Sequence, residues 1–422
     1  MFCENRFGTL YLENFSHSAT EYCTADSPSN ITCLHSETVN GRVDSLCIAR
    51  NAIFDPVTAK FRLGCTLGML PDSQLPFLVP EYGTFQKYMF DTGPRVIMDN
   101  WIELDDTVRP KESETPKYTI LVKREGSFNL WHSLLEIFST SLTLNALQMS
   151  QSSDSRAFFT NPDTLNTQLV LLDEHADGPF FDLWSIFTKR PIIRLKDLPP
   201  NASFENIILP LAGGSNPLWQ SDLPPAGASC NNSALLRTFS RRVMNHYEFP
   251  VQQPRQGSDI TVTFIDRMET RVLLNHTEYL EDVKSSFPNI IIQEVDFATI
   301  PFKEQLDVLQ QTDILVGVHG AGLTHAMFLP PRSTVVEILP AQVAIRAFEN
   351  LASLLDHSYF SVRSSKKSDT SPGVDWHQEQ VSLDREKFTD ILNIALQKKS
   401  AVKGGMDPSL AGKLYYQTVD RD

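Results

Sequence analysis

From residue 258 onward the chain alternates short, almost uninterrupted apolar runs with helical stretches, and few folds accommodate that pattern. Strand-like runs fall at 260–265 (ITVTFI), 290–295, 314–318 (ILVGV), 335–339 (VVEIL) and 359–362. Helix-like stretches lie at 277–286, 302–311, 322–328, 345–355 and 384–398. Strands that are apolar at nearly every position must be covered on both faces, which calls for a parallel sheet with helices on either side. The expectation is an α/β, doubly wound, Rossmann-like domain over 258–400, followed by a tail at 401–422.

The first half is less regular. A strand-like run at 118–123 leads into a long stretch at 129–149 with helical spacing of Leu134, Leu135, Phe138, Leu142 and Leu147. Further strand-like runs at 169–172, 192–195 and 207–211 and helical patches at 178–187 and 234–247 suggest a second α/β domain over 118–248. The stretch 249–257 (FPVQQPRQG) reads as a linker. Residues 1–117, rich in Cys and polar residues and then punctuated by Pro, read as a loop-rich N-terminal region. A chain of 422 residues is too long for one ordinary core, which agrees with two domains.

Charge and cysteine usage narrow the setting. Acids outnumber Lys and Arg by 51 to 37, for a formal charge of −14, which argues against nucleic acid as a partner. The longest uncharged stretches, 137–153 and 314–331, are too polar or too Gly- and Pro-rich for membrane spans, so a soluble globular chain is expected. Five of the six cysteines lie in the first 65 residues without paired C-x-x-C spacing, which suits disulfides better than zinc. N-x-S/T sequons occur at Asn14, Asn30, Asn201, Asn231 and Asn275. Together these features point to the secretory pathway, although no signal or anchor is evident at the N-terminus. Membrane contact is expected only through an anchor outside this sequence.

Candidate chemistry gathers at strand ends, where open α/β sheets bind ligands. VGVHGAGLTH (316–325) leaves a buried strand, turns through Gly320 and Gly322 and enters a helix. Exposed N–H groups there, with His319 and His325 alongside, make an anion site; the alternative is a tight turn with His325 packed in the core. Arg267 and Arg271 follow the 260–265 strand and could pair with phosphate oxygens, or else with Asp266 and Glu269. Glu337 is an acid inside an apolar run and must have partners, a ribose diol or a structural ion pair. In the first half, Asn129 is a candidate cap for the long helix. His132 and Glu136, four apart, form either a base at a cleft or an ordinary surface pair. No metal motif is convincing; the D-x-D at 420–422 sits at the extreme C-terminus.

Three of these stretches, 261–271 (TVTFIDRMETR), 305–331 and 335–340 (VVEILP), resemble glycosyltransferase family 61, and the N-x-x-H entry at Asn129 and His132 is similar to its N-terminal domain. The likeness is most specific at HGAGLTH. It implies a GT-B-like architecture, two Rossmann-like doubly wound domains facing a cleft, and inverting transfer of a sugar (GlcNAc or xylose) from a UDP-sugar to a hydroxyl on a protein or glycan. By that likeness Arg267, Arg271, His319, Gly320 and Gly322 hold the diphosphate, with Ala321 and His325 in the same turn and Glu337 on the nucleoside side. Glu136 or His132 is the candidate base, beside Asn129. UDP-sugar is the donor substrate, with no permanently bound cofactor or metal implied. Where some members carry Asp-Tyr-Asp, this chain reads Lys189, Arg190, Pro191. The alternative function is a non-catalytic UDP- or glycan-binding protein on the same fold.

Overall fold

The computed structural model describes residues 2–38, 41–70, 75–109, 117–152, 155–219, 230–255, 257, 259–287, 289–364 and 380–404. The D-x-D at 420–422 and most of the expected tail lie outside them. The chain divides into two compact units, Met1–Pro224 and Pro225–Asp422.

The first unit begins with helices α1 (Phe2–Phe7) and α2 (Leu10–Ser16) and strands β1 (Thr20–Glu21), β2 (Asn30–Glu37), β3 (Val43–Asp55) and β4 (Lys60–Leu63). Helix α3 (Pro94–Trp101) and strand β5 (Ile102–Leu104) precede β6 (Tyr118–Val122), the long α4 (Leu130–Met149), β7 (Thr167–Leu171), β8 (Ile193–Arg194) and β9 (Ser203–Leu209). Among the described residues these strands form one nine-stranded sheet in the order β1-β2-β3-β9-β6-β7-β8, with β4 and β5 attached through β3.

Two expectations are corrected here. The N-terminal region is not a separate loop-rich segment, because β3 pairs antiparallel with β9, register Ile48 to Ile208, and carries β2 and β4 with it. The sheet is also not doubly wound throughout. Its main parallel part is the run β8-β7-β6-β9; β1-β2, β2-β3, β3-β4 and β3-β9 pair antiparallel, and β5 adds to β4 in parallel. In the parallel part the chain leaves β6 toward β7 on one side and returns to β9 on the other, so a switch point falls between the carboxyl ends of β6 and β9.

Disulfides secure the added strands. Cys33 and Cys47 are cross-strand partners on β2 and β3, with Cα atoms 4.1 Å apart. Cys23–Cys65 closes a span of 42 residues, and no cysteine is free among the described residues. Their neighbours Phe54, Phe61, Leu121, Val170, Phe204 and Ile207 belong to one continuous core cluster.

The second unit holds α5 (Ala234–His246), β10 (Ile260–Ile265), α6 (His276–Ser286), β11 (Ile290–Val295), α7 (Phe302–Gln310), β12 (Ile314–Val318), β13 (Thr334–Leu339), α8 (Ala347–Leu354), β14 (Ser358–Arg363) and α9 (Arg385–Lys403). Helix α5 therefore groups with this unit, ahead of the 249–257 stretch expected to separate the halves. The sheet order is β11-β10-β12-β13-β14, with every pairing parallel. β10, β12 and β13 are buried almost throughout, as their uninterrupted apolar pattern requires. This order has its switch point between the carboxyl ends of β10 and β12. No described helix is long and apolar enough to cross a membrane.

Candidate active site

At the second unit's switch point, β10 delivers Arg267 and Arg271 and β12 delivers the turn at 319–322. Arg267 is held locally: Nε donates to the Thr270 carbonyl at 2.8 Å and Nη2 to Thr270 Oγ1 at 3.1 Å. Burial lowers the Arg267 pKa, with Asp296 acting against the shift; so basic a group stays charged. Arg271, at φ 54°, occupies the left-handed region and sends Nη1 to the His319 carbonyl at 2.9 Å.

Gly320 lies where these side chains meet. A Cβ at that position would stand 2.9 Å from Arg271 Nη1 and 3.0 Å from Arg267 Nη1. Its φ of 154° is one that side-chain-bearing residues rarely adopt. Past it, 321–328 is a 3₁₀ helix, whose opening N–H groups at Ala321 and Gly322 have no intrahelical acceptor by geometry. Both residues are half-buried. Gly322 serves a different close approach from Gly320, because its nearest neighbour is Ile265 Cγ2 at 3.0 Å, the last residue of β10. Two guanidinium groups and a helix opening thus surround one glycine, an arrangement suited to a diphosphate.

The remaining candidates in this unit sort differently. His319 places Nδ1 2.5 Å from Glu337 Oε1, and the Tyr359 hydroxyl donates to Glu337 Oε2 at 2.5 Å. Glu337 is fully buried with both oxygens engaged inside the protein, so it braces His319. Burial, with the Glu337 charge adding to it, raises the Tyr359 pKa, keeping the phenol a donor. His325 is a core residue. Its ring nitrogens lie 2.7 Å from Gly322 O and Gln305 Oε1, and it stacks on Phe297 with centroids 4.1 Å apart.

In the first unit, the other switch point carries the second group of residues. Asn129 caps α4, its Oδ1 accepting from the N–H of Trp131 at 3.0 Å and of His132 at 3.4 Å. The expected pairing of His132 with Glu136 does not form. His132 Nδ1 contacts Glu125 Oε1, and Glu136 Oε1 accepts from the Glu125 N–H at 2.7 Å. Loop 123–129 folds back over the start of α4, bringing Glu125 between two residues that share a helix face. Periodicity carries no signal for such a loop contact, so the sequence reading missed Glu125.

Their environments differ. Glu136 is 4% exposed, with Oε2 buried and unpartnered. Burial first, then the Asp173 charge, holds its carboxyl well above the usual range, against Lys123 and Arg124. The void beside it is about 10 Å³, barely one water. The His132 side chain retains 21% of its exposure, and burial lowers its pKa to about 4, leaving it neutral at pH 7. Edge-on contacts from Phe90 at 4.9 Å and Trp219 at 4.7 Å wall the imidazole. Neither aromatic stood out in the sequence.

Residues 85–336 match a family model described as Glycosyltransferase 61. The chain belongs to glycosyltransferase family 61. The family match contains His132, Arg267, Arg271 and the whole 319–325 turn, and ends one residue before Glu337. Among curated relatives, the EGF domain-specific O-linked N-acetylglucosamine transferase of Drosophila melanogaster is 30% identical over 228 residues, covering 52% of this chain and 40% of the relative. The protein of the same name from Canis lupus familiaris is 27% identical over 260 residues, covering 60% and 46%. That from Gallus gallus is 26% identical over 300 residues, covering 69% and 52%. The chain thus spans about half the length of the curated relatives it matches.

Proposed function

We propose that this chain is an inverting glycosyltransferase that moves a sugar from a UDP-sugar to a hydroxyl on a protein or glycan. The observation that carries this reading is the meeting of Arg267 and Arg271 at Gly320, on the switch point of a parallel sheet. Those guanidinium groups and the N–H groups of Ala321 and Gly322 neutralise charge developing on the departing UDP, in place of a divalent ion. Glu337 acts indirectly, by orienting His319.

GlcNAc is the first donor sugar to test, because the relatives are named as N-acetylglucosamine transferases; xylose is the second. His132 is the favoured base on grounds of access, since Glu136 has no room for an acceptor. With Nδ1 turned to Glu125, His132 presents Nε2 to a hydroxyl, and the carboxylate stabilises the imidazolium as the proton arrives. A GT-B architecture belongs to this reading, and so does a secretory setting. The disulfides support that setting, as do the exposed sequon asparagines Asn14, Asn201, Asn231 and Asn275.

The test is UDP release from UDP-GlcNAc and UDP-xylose, with and without an EGF-domain acceptor, alongside calorimetry with UDP. Acceptor-dependent release is expected, and Arg271→Ala should weaken UDP binding by about 1.5–3 kcal/mol, the worth of a charged hydrogen bond. Binding of UDP without turnover would assign a non-catalytic binder instead; absence of any UDP binding would remove the reading altogether.

A further inference from the structure

A second pocket of the same unit lies at the opposite end of the sheet from the Arg267–Arg271 pair. His357 immediately precedes β14, and Pro331 comes shortly before β13, so the pocket sits beside the amino ends of these strands. Its volume is about 220 Å³, and Arg237 and Arg241 of α5, Val251, Gln252, Leu355 and His357 are among its lining residues.

Three features of this lining point to a ligand. Firstly, the two arginines are uncompensated in a protein of net charge −14. Arg237 Nε donates to Asn232 Oδ1 at 2.9 Å, and neither arginine has a carboxylate partner among the described residues. Secondly, His357 is 8% exposed and its Nδ1 is buried without a partner. Its Nε2 faces the Ala326 carbonyl at 3.2 Å, and a carbonyl only accepts, so the ring proton is on Nε2 and Nδ1 keeps a lone pair. Burial lowers the pKa to about 3, with Lys399 and Arg237 adding to the effect against the Ala326 contact, so the ring stays neutral. A buried acceptor beside two arginines that lack a carboxylate partner among the described residues suits a ligand that also donates, such as a hydroxyl. Thirdly, Val251 and Leu355 offer an apolar wall to C–H groups, and the volume falls below the ~300–1,000 Å³ of drug-sized sites, leaving room for one monosaccharide.

We infer that this pocket binds a single sugar bearing an anionic group, a carboxylate or a phosphate, with the anion on Arg237 and Arg241 and a hydroxyl donating to His357 Nδ1. The site is separate from the proposed UDP site and does not depend on that reading.

Calorimetry on the full chain with glucuronate and glucose 6-phosphate tests the inference and distinguishes the two anions, with glucose and inorganic phosphate as controls. At least one anionic sugar should bind more tightly than either control. Arg241→Gln, an exposed change that leaves the core intact, should weaken that binding roughly tenfold or more, as loss of a charged hydrogen bond does, while UDP affinity is unchanged. His357→Phe should erase the preference for the anionic sugar over inorganic phosphate. The inference is overturned if neither anionic sugar binds, if glucose or phosphate binds equally well, if Arg241→Gln has no effect, or if UDP displaces the sugar.

Discussion

Arg271 donates from Nη1 to the carbonyl of His319 at 2.9 Å, joining the end of β10 to the end of β12 across 48 residues of chain. Gly320, the next residue, has only hydrogen where a Cβ would meet both guanidinium groups. Gly320→Ala should therefore act twice. It places a side chain at φ 154°, costing about 1–3 kcal/mol of stability, and it pushes the arginines off their positions. The expected outcome is a lower urea midpoint together with weaker UDP binding. Loss of stability with unchanged UDP affinity would mean that the arginines serve the fold alone.

Much of this site could be read from the sequence, because its signals are local. Uninterrupted apolar strands marked the parallel sheet of the second unit, and glycines and arginines at strand ends marked the turn. The first unit's added strands were hidden for a physical reason. β2 (NITCLHSE) is mostly buried, yet five of its eight residues are polar. Those polar groups are satisfied inside, as His35 is by Ser45 and Tyr22, so neither a period of two nor an apolar run survives. The pairing of β3 with β9 spans some 160 residues, and no local pattern encodes it.

Reducing the disulfides should loosen those same strands. The Cys23–Cys65 link, at a separation of 42, is worth about 4 kcal/mol of chain entropy and Cys33–Cys47, at 14, about 3 kcal/mol. Urea unfolding of Cys33→Ser/Cys47→Ser and Cys23→Ser/Cys65→Ser pairs should show losses of that order, the second pair losing more. An equal loss for both would point to packing in the shared core as the dominant contribution.

Acid should destabilise the first unit partly through His35. The Tyr22 hydroxyl donates to the Pro80 carbonyl at 2.6 Å, so it accepts from His35 Nε2–H, while Nδ1 accepts from Ser45. Every ring position is filled in the neutral form, and burial lowers the pKa to about 3. The unfolded residue titrates near 6.5, so between pH 6.5 and about 3 only the unfolded state holds the extra proton, and stability falls as pH falls. His35→Gln should reduce the proton uptake on unfolding near pH 5 by about one proton, read from the slope of stability against pH. An unchanged slope would mean that the folded imidazole already carries its proton.

The contrast between Glu125 and Glu136 offers the sharpest test of the acceptor side. Glu125 touches His132 Nδ1, and Glu136, one residue group away, lies closed off with only about 10 Å³ beside it. If His132 takes the acceptor proton, replacing its carboxylate partner removes the charge that stabilises the imidazolium and frees the ring to adopt the wrong tautomer. Glu125→Gln should then lower kcat about 10²-fold or more, with KM for the UDP-sugar unchanged because the donor groups lie in the other unit. His132→Gln should fall by a similar factor, and the double variant little further, since residues acting as one unit are not additive. Glu136→Gln should leave kcat near the wild-type value, because burial already holds that carboxyl toward its neutral form and the amide has the same shape. Steady-state kinetics on the four variants reads all of this. Full activity in Glu125→Gln with collapse in Glu136→Gln would move the base to Glu136 and require that the closed pocket open when the acceptor binds.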